Sequence, residues 1–147
     1  MQDQVPLIQA VVARVAHHID GKRWDDLRRL YADEVETDYT SLFGGSPQRQ
    51  RGDDLIAGWR GVLGRVSTQH LLGPIDVTVD LDSATADCHV RAWHLAPGAP
   101  GGEEWVVAGH YRFGLVRADR VWRIAFMKLE TLHQTGNRNL LAEASAR

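Results

Sequence analysis

Ser67-Thr68-Gln69-His70-Leu71-Leu72-Gly73 and Ala84-Thr85-Ala86-Asp87-Cys88-His89-Val90-Arg91-Ala92-Trp93-His94-Leu95 read as neighbouring β segments, each with an imidazole near its end. Successive side chains of an extended strand point to opposite faces, so the second stretch puts Ala84, Ala86, Cys88, Val90, Ala92 and His94 on one side. Thr85, Asp87, His89 and Arg91 fall on the other. His94 thus ends an apolar face. An ionisable ring in that position is either tied into a structural hydrogen bond or open to a pocket, and residue type alone does not separate the two. Between the two stretches Ile75, Val77, Val79 and Leu81 alternate with Asp76, Thr78, Asp80 and Asp82, the pattern of a half-buried strand. Asp82-Ser83 is suited to the hairpin turn that follows it.

Upstream the period is helical. Leu7, Ile8, Val11, Val12, Val15 and Ile19 recur at steps of three and four, predicting an amphipathic helix over Val5 to Ile19 with Pro6 in its first turn. Asp20-Gly21 breaks it, with Gly21 suited to a left-handed C-terminal position, and Trp24, Leu27, Leu30 and Tyr31 begin a shorter helix. Val35 to Leu42 reads as a short strand, and Gly44 to Arg51 as a polar loop. Asp53 or Asp54 caps a third helix, whose stripe is Leu55, Ile56, Trp59, Val62 and Leu63.

Downstream, Ala96 to Gly102 is too rich in glycine and proline for anything but a loop. Strands over about Glu104 to Arg117 and Val121 to Leu132 follow, joined at Ala118-Asp119-Arg120, and a C-terminal tail begins near residue 133, frayed or partner-dependent from Leu140 to Arg147. Helices first and then a meander of strands define an α+β chain, since no strand-helix-strand alternation is present to build a parallel sheet. Long strands curve as they twist, and the early helices can close the concave side into a cone with one deep pocket.

Composition limits the partners. A chain of 147 residues with 44% hydrophobic content suits one domain spanning 1–147. Seventeen Lys and Arg against nineteen Asp and Glu leave a net charge of −2, and the cations are scattered, which argues against a nucleic-acid surface. No apolar run reaches the length of a membrane span, and Met1-Gln2-Asp3-Gln4 lacks the start of a signal peptide, so a cytoplasmic chain is expected. The lone Cys88 reads as a small buried hydrophobe.

Asp20-Gly21-Lys22-Arg23-Trp24, Asp38-Tyr39-Thr40-Ser41-Leu42, Ser67-Thr68-Gln69-His70 and Val121-Trp122-Arg123-Ile124, in that order, resemble the SnoaL-like branch of the nuclear-transport-factor-2 superfamily, and within it the scytalone dehydratases. The resemblance covers about Val5 to Leu132. It implies a cone-shaped, mostly antiparallel curved sheet closed by N-terminal helices, the cystatin-like α+β barrel. It also implies a cofactor-independent lyase that removes water from a cyclic, aromatic or polyketide-like ketone. Isomerases, polyketide cyclases and non-catalytic binding domains share the fold and are the alternatives. The resemblance places the two pocket histidines on His70 and His94, the aspartate supporting the second on Asp20, and a water-holding tyrosine on Tyr39. Ile19 stands where that family has another tyrosine, and His110 and Arg112 where it has a serine and an asparagine. A homodimer is expected, with Trp93, Trp105, Trp122 and Phe126 available on the outer sheet face.

The chemistry suits these residue types. Elimination beside a carbonyl needs a base for an acidic C–H, a donor for the enolate oxygen and an acid for the leaving hydroxyl. Imidazole serves both proton transfers near neutral pH. His70 is read as base or acid, His94 as an acid oriented and kept protonated by Asp20, and Tyr39 as the support for the oxyanion. Asp20 can equally end the first helix in water, and Tyr39 can be a core aromatic. Asp38 falls on the strand face opposite Tyr39, either solvated or a base in an isomerase-like pocket. His110 and Arg112 share a face with Val106 and Ala108, while Trp105, Val107, Tyr111 and Phe113 hold the other. Period alone leaves the inward face open, and the resemblance favours that of His110, where Arg112 offers a cation to a substrate enolate or carboxylate. His70, His94 and His110 lack the close spacing of a ligand set, so no metal is expected; no glycine-rich phosphate loop follows a strand, and the resemblance implies no other cofactor.

Overall fold

The pairing of two long strands positions everything else. In the computed structural model, which describes residues 3–146, β5 (Ser83–Leu95) runs antiparallel to β6 (Glu104–Ala118) with Val90 opposite Gly109 and His94 opposite Trp105. Met1, Gln2 and Arg147, which carry the very start of the chain and the end of the expected tail, lie outside the described residues. Residues directly opposed across a ladder share a face. Even-numbered residues of β5 therefore side with odd-numbered residues of β6, and the buried set is Ala84, Ala86, Cys88, Val90, Ala92 and His94 against Trp105, Val107, Tyr111, Phe113 and Leu115. Small groups on one strand meet large ones on the next, which fills the layer without crowding.

The remaining elements extend this hairpin. In chain order they are α1 (Val5–Asp20), α2 (Trp24–Arg29), β1 (Tyr31–Asp38), α3 (Thr40–Phe43), β2 (Gln48–Arg51), α4 (Gly52–Leu63), β3 (Ser67–Leu72), β4 (Asp76–Asp80), β7 (Val121–Gly136) and α5 (Leu140–Ser145). The sheet has the order β2-β1-β7-β6-β5-β3, with β4 pairing the first half of β5 and β3 the second. Every pairing is antiparallel except β1 with β7. The result is a mixed α+β fold with a curved sheet that stays unclosed, so the expected cone is walled partly by helices. Register shifts at Ala108/Gly109 and Gly114/Leu115 bend β6 against β7. At the first of these, a Cβ on Gly109 would stand 2.2 Å from the Glu130 carbonyl oxygen, so the close approach requires glycine.

Helix α1 lays Ile8, Val12, Val15 and Ile19 against the strands, as its spacing predicts. It ends differently from expectation. Gly21 has φ −84° and Lys22 takes the left-handed turn at φ 57°, with Arg23 N–H returning to the His18 carbonyl at 2.8 Å. The Lys22 amine donates to the Val66 carbonyl, a tertiary bond that holds the left-handed turn at a residue other than glycine. Strand β1 starts at Tyr31, earlier than the apolar pattern suggests, and Thr40–Phe43 is a single helical turn. The segment read as a polar loop contains β2, whose Gln and Arg residues suit a short charged edge strand. Leu81, expected to alternate inward, has φ 55° and lies exposed at the β4–β5 turn, which falls on Leu81-Asp82. Among the described residues no helix is long and apolar enough to cross a membrane.

The C-terminus corrects the expectation of a frayed tail. β7 continues to Gly136, and α5 packs on α4 with Leu140 and Ala144 buried. Buried Asn137 fastens it. The Asn137 side-chain amide donates to the Gly102 carbonyl at 2.9 Å and to Glu143 Oε2 at 2.8 Å, and its Oδ1 accepts from Asn139 N–H at 3.0 Å. Trp105 and Trp122 are buried, which removes them from the outer face where they were expected to serve a dimer.

Asn137→Ala should leave the sheet intact and unfasten α5. Urea unfolding should show a loss of roughly 1–3 kcal/mol, the cost of buried groups left without partners, and amide exchange should accelerate over Leu140–Ser145. Exchange in α5 as slow as in the native chain would contradict this fastening.

Candidate active site

A cavity of about 630 Å³ opens between the inner face of β5–β6, α4 and α5. Most of its wall is apolar, from Ile19, Leu42, Trp59, Leu63, Val90, Val107, Leu129 and Leu141 among others. Val62 is solvent-exposed on α4 because it faces this space. The polar groups are few, as in small-molecule sites generally: His70, His94, Tyr39 and Tyr111 within, and Arg138, Asn139 and Ser145 from the C-terminal segment. Phe43, 64% exposed, sits between Tyr39 and Trp105 with ring centroids 6.4 and 6.3 Å away.

His70 comes from β3, and Thr68, two residues earlier, shares its face. Both meet Asp20, the last residue of α1. Asp20 Oδ1 lies 2.7 Å from His70 Nδ1 and accepts from the Thr68 hydroxyl at 2.9 Å, while Oδ2 accepts from the His70 backbone N–H at 2.8 Å. A carboxylate at a helix C-terminus faces the unfavourable end of the dipole, and these bonds offset that. Burial works against the charge of Asp20, but the bonds from the His70 ring and backbone and from Thr68 outweigh it and hold the carboxyl below its usual range. The ionised acceptor fixes the hydrogen of His70 on Nδ1 and leaves Nε2 as the free nitrogen of a ring that lines the cavity.

His94 is tied differently. Its Nδ1 lies 3.0 Å from the Trp105 carbonyl oxygen, which can only accept, so the hydrogen is on Nδ1 and Nε2 carries the lone pair. The ring stacks near Trp105 with centroids 4.6 Å apart and meets His70 at 6.2 Å, nearly perpendicular. Burial depresses its pKa from 6.5 to about 4 despite the Trp105 carbonyl, so His94 is neutral at pH 7. Two sequence expectations are thereby corrected. Asp20 supports His70 rather than His94, because α1 ends beside β3, and His94 is not held protonated.

The other expected residues separate into those at the cavity and those away from it. Ile19 and Tyr39 line it. The Tyr39 hydroxyl donates to Met127 Sδ at 3.5 Å, so its polar tip is turned into the core. Asp38 binds the Thr40 backbone N–H at 3.0 Å and the Thr40 hydroxyl at 2.6 Å, fastening the turn of α3 outside the cavity. His110 and Arg112 lie on the opposite face of the sheet, contrary to the side implied by the resemblance. There Arg112 grips Asp87 through Nε at 2.8 Å and Nη2 at 3.2 Å, and His110 packs near His89. The three histidines His70, His94 and His110 are therefore not gathered in one place. The residues that sequence reading missed are Tyr111, Trp105 and the C-terminal Arg138, Asn139 and Ser145. For Tyr111 the signal was there, since only the Trp105-Val107-Tyr111-Phe113 face of β6 is bulky enough to oppose the small face of β5.

A family model, that of the SnoaL-like domain, matches residues 6–128. A curated dehydratase of Pestalotiopsis microspora is 32% identical over 126 residues, which span 79% of this chain and 79% of its own length. Among solved structures, a protein of Kribbella flavida is 33% identical, with a TM-score of 0.85 over 92% of this chain and 94% of that one. A scytalone-dehydratase-like protein of Novosphingobium aromaticivorans shares the fold at 20% identity, with a TM-score of 0.76 over 91% of this chain and 87% of that one.

The depressed pKa of His94 has a consequence for stability. Between pH 6.5 and about 4 the unfolded chain takes up a proton at residue 94 and the folded chain does not, so stability falls as pH falls through that window. The loss is roughly 3 kcal/mol by the linkage of pKa to free energy. In urea unfolding at a series of pH values, His94→Gln should lack this part of the acid slope. Parallel curves for the two proteins would contradict the burial of a neutral ring.

Proposed function

This chain belongs to the SnoaL-like domain family, and from that premise we propose that it is a cofactor-independent lyase that removes water from a small cyclic hydroxyketone. The observation that carries the reading is the Asp20–His70 pair at the cavity wall, a carboxylate held ionised and an imidazole whose free nitrogen is its Nε2. The dehydratase among its relatives supports the same reaction class. The wall of Phe43, Trp59, Trp105 and Tyr111 favours a flat, aromatic or polyketide-like substrate, and the volume accommodates more than one ring.

In this reading His70 Nε2 takes the proton from the carbon beside the substrate carbonyl. The released electron pair moves to the carbonyl oxygen as an enolate, and Asp20 stabilises the imidazolium that forms. The enolate then re-forms the carbonyl, the bond from the β-carbon to its hydroxyl breaks, and the departing oxygen takes the proton back from His70 and leaves as water. One imidazole thus serves as base and then as acid. His94, neutral with its Nε2 lone pair free, accepts a hydrogen bond from the substrate hydroxyl and orients it, a role that suits a ring unable to supply a proton at pH 7.

A panel of cyclic hydroxyketones screened for thermal stabilisation identifies binders, because a ligand of the folded state raises its apparent stability. Mass spectrometry then reads turnover. The product should be lighter by one water, and His70→Gln should lower kcat by about 10²–10⁴-fold, the range of a positioned base. Asp20→Asn should lower it less, since the base remains but loses its charged partner. A product of unchanged mass, or a His70→Gln protein with native kcat, would overturn the lyase reading.

A further inference from the structure

Tyr39 and Tyr111 line the cavity while Tyr31 is fully buried, and the three hydroxyls are not equivalent. Tyr31 and Tyr39 both donate to the same thioether, Met127 Sδ, each at 3.5 Å. Met127 is buried and is not part of the cavity wall, so both hydroxyls are directed into the core. Tyr111 stands on β6 opposite Cys88, is 7% exposed, and lines the cavity. Its hydroxyl has no hydrogen-bond partner among the described residues. Yet no buried side-chain nitrogen or oxygen among them lacks a partner. The Tyr111 hydroxyl is therefore accessible, and the space beside it is the cavity that its ring lines. Burial pushes this phenol well above the usual range, so it is a neutral O–H in the cavity that His70 also lines.

We propose that Tyr111, rather than Tyr39, is the catalytic hydrogen-bond donor that holds the substrate's carbonyl oxygen and stabilises the enolate formed when His70 removes the neighbouring proton. The proposal rests on the lyase reading and adds to it the group that the reaction still lacks. An O–H with no protein acceptor has no bond to give up when substrate arrives, and in an apolar cavity its dipole acts on the developing charge with little solvent screening. The Tyr39 hydroxyl meets neither condition, since it is committed to Met127 and turned away from the cavity. The same placement specifies the ligand class: a ring carrying an sp² carbon–oxygen bond whose oxygen can bear negative charge.

The probe is 4-nitrophenol, whose phenolate has that geometry and reports its ionisation by absorbance. The native chain should bind the phenolate, and Tyr111→Phe should weaken that binding about tenfold or more, the scale of a hydrogen bond to a charged group. Tyr39→Phe should bind it within about twofold of the native chain. With a turned-over hydroxyketone, Tyr111→Phe should lower kcat about 10²-fold with KM little changed, the pattern of a group that acts on the transition state. Urea unfolding of Tyr111→Phe should match the native protein, because the hydroxyl removed has no protein partner. The donor assignment is overturned if the native chain does not bind the phenolate, if Tyr111→Phe binds it as well as the native chain, or if Tyr39→Phe loses the binding instead. If no hydroxyketone is dehydrated while Tyr111→Phe alone loses the phenolate, the donor stands and the lyase reading falls.

Discussion

The Asp20 carboxylate ties the first helix to the sheet and sets the imidazole at the cavity wall. It ends α1 and receives three hydrogen bonds from β3, from the Thr68 hydroxyl, the His70 backbone and the His70 ring. One side chain thereby docks the first helix onto the edge of the sheet and selects the tautomer of the ring beside it. A half-buried charge is costly unless its oxygens are paired, and here both oxygens of Asp20 are. Structure and chemistry are consequently coupled at a single residue. Any change that lets α1 move along the sheet also moves the acceptor that orients His70.

The cavity exists because β5 carries small residues where β6 carries large ones, and because the C-terminal segment closes over the space they leave. Ala92 and Val90 leave room in front of His94, while Trp105 supplies both the stacking surface and the carbonyl that holds that ring. The roof is a short helix that would be marginal alone. It persists because Asn137 binds Gly102 and Glu143 together, linking α5 to the glycine-rich loop after β5. An element that rests on a few polar contacts is the one best placed to open for substrate and product.

Much of this was legible from residue order alone. Period-two alternation put His94 on the inner face of β5, and the same logic, with helical spacing for α1 and α4, gave the order of layers. What failed depended on distances between elements. Asp20 lies at a helix terminus, and nothing local says whether it meets His70 or His94; only the docking of α1 beside β3, fifty residues on, decides. Both faces of β6 carry apolar groups, so period alone leaves its inward side open, and only the bulk of Trp105, Val107, Tyr111 and Phe113 against the small face of β5 points to it. β2 reads as loop because an edge strand facing solvent is polar. The last helix reads as tail because its anchor is Asn137, a residue whose type usually marks a turn. The interior was thus written in periodicity, while the contacts that complete the site were written in tertiary pairing.

Catalysis at His70 requires that Asp20 hold its hydrogen on Nδ1 and leave Nε2 bare. Two-bond nitrogen–proton NMR correlation of the neutral histidine rings reads that tautomer without any substrate. A protonated Nδ1 and an unprotonated Nε2 are expected for His70. A His70 ring with its hydrogen on Nε2 would contradict it.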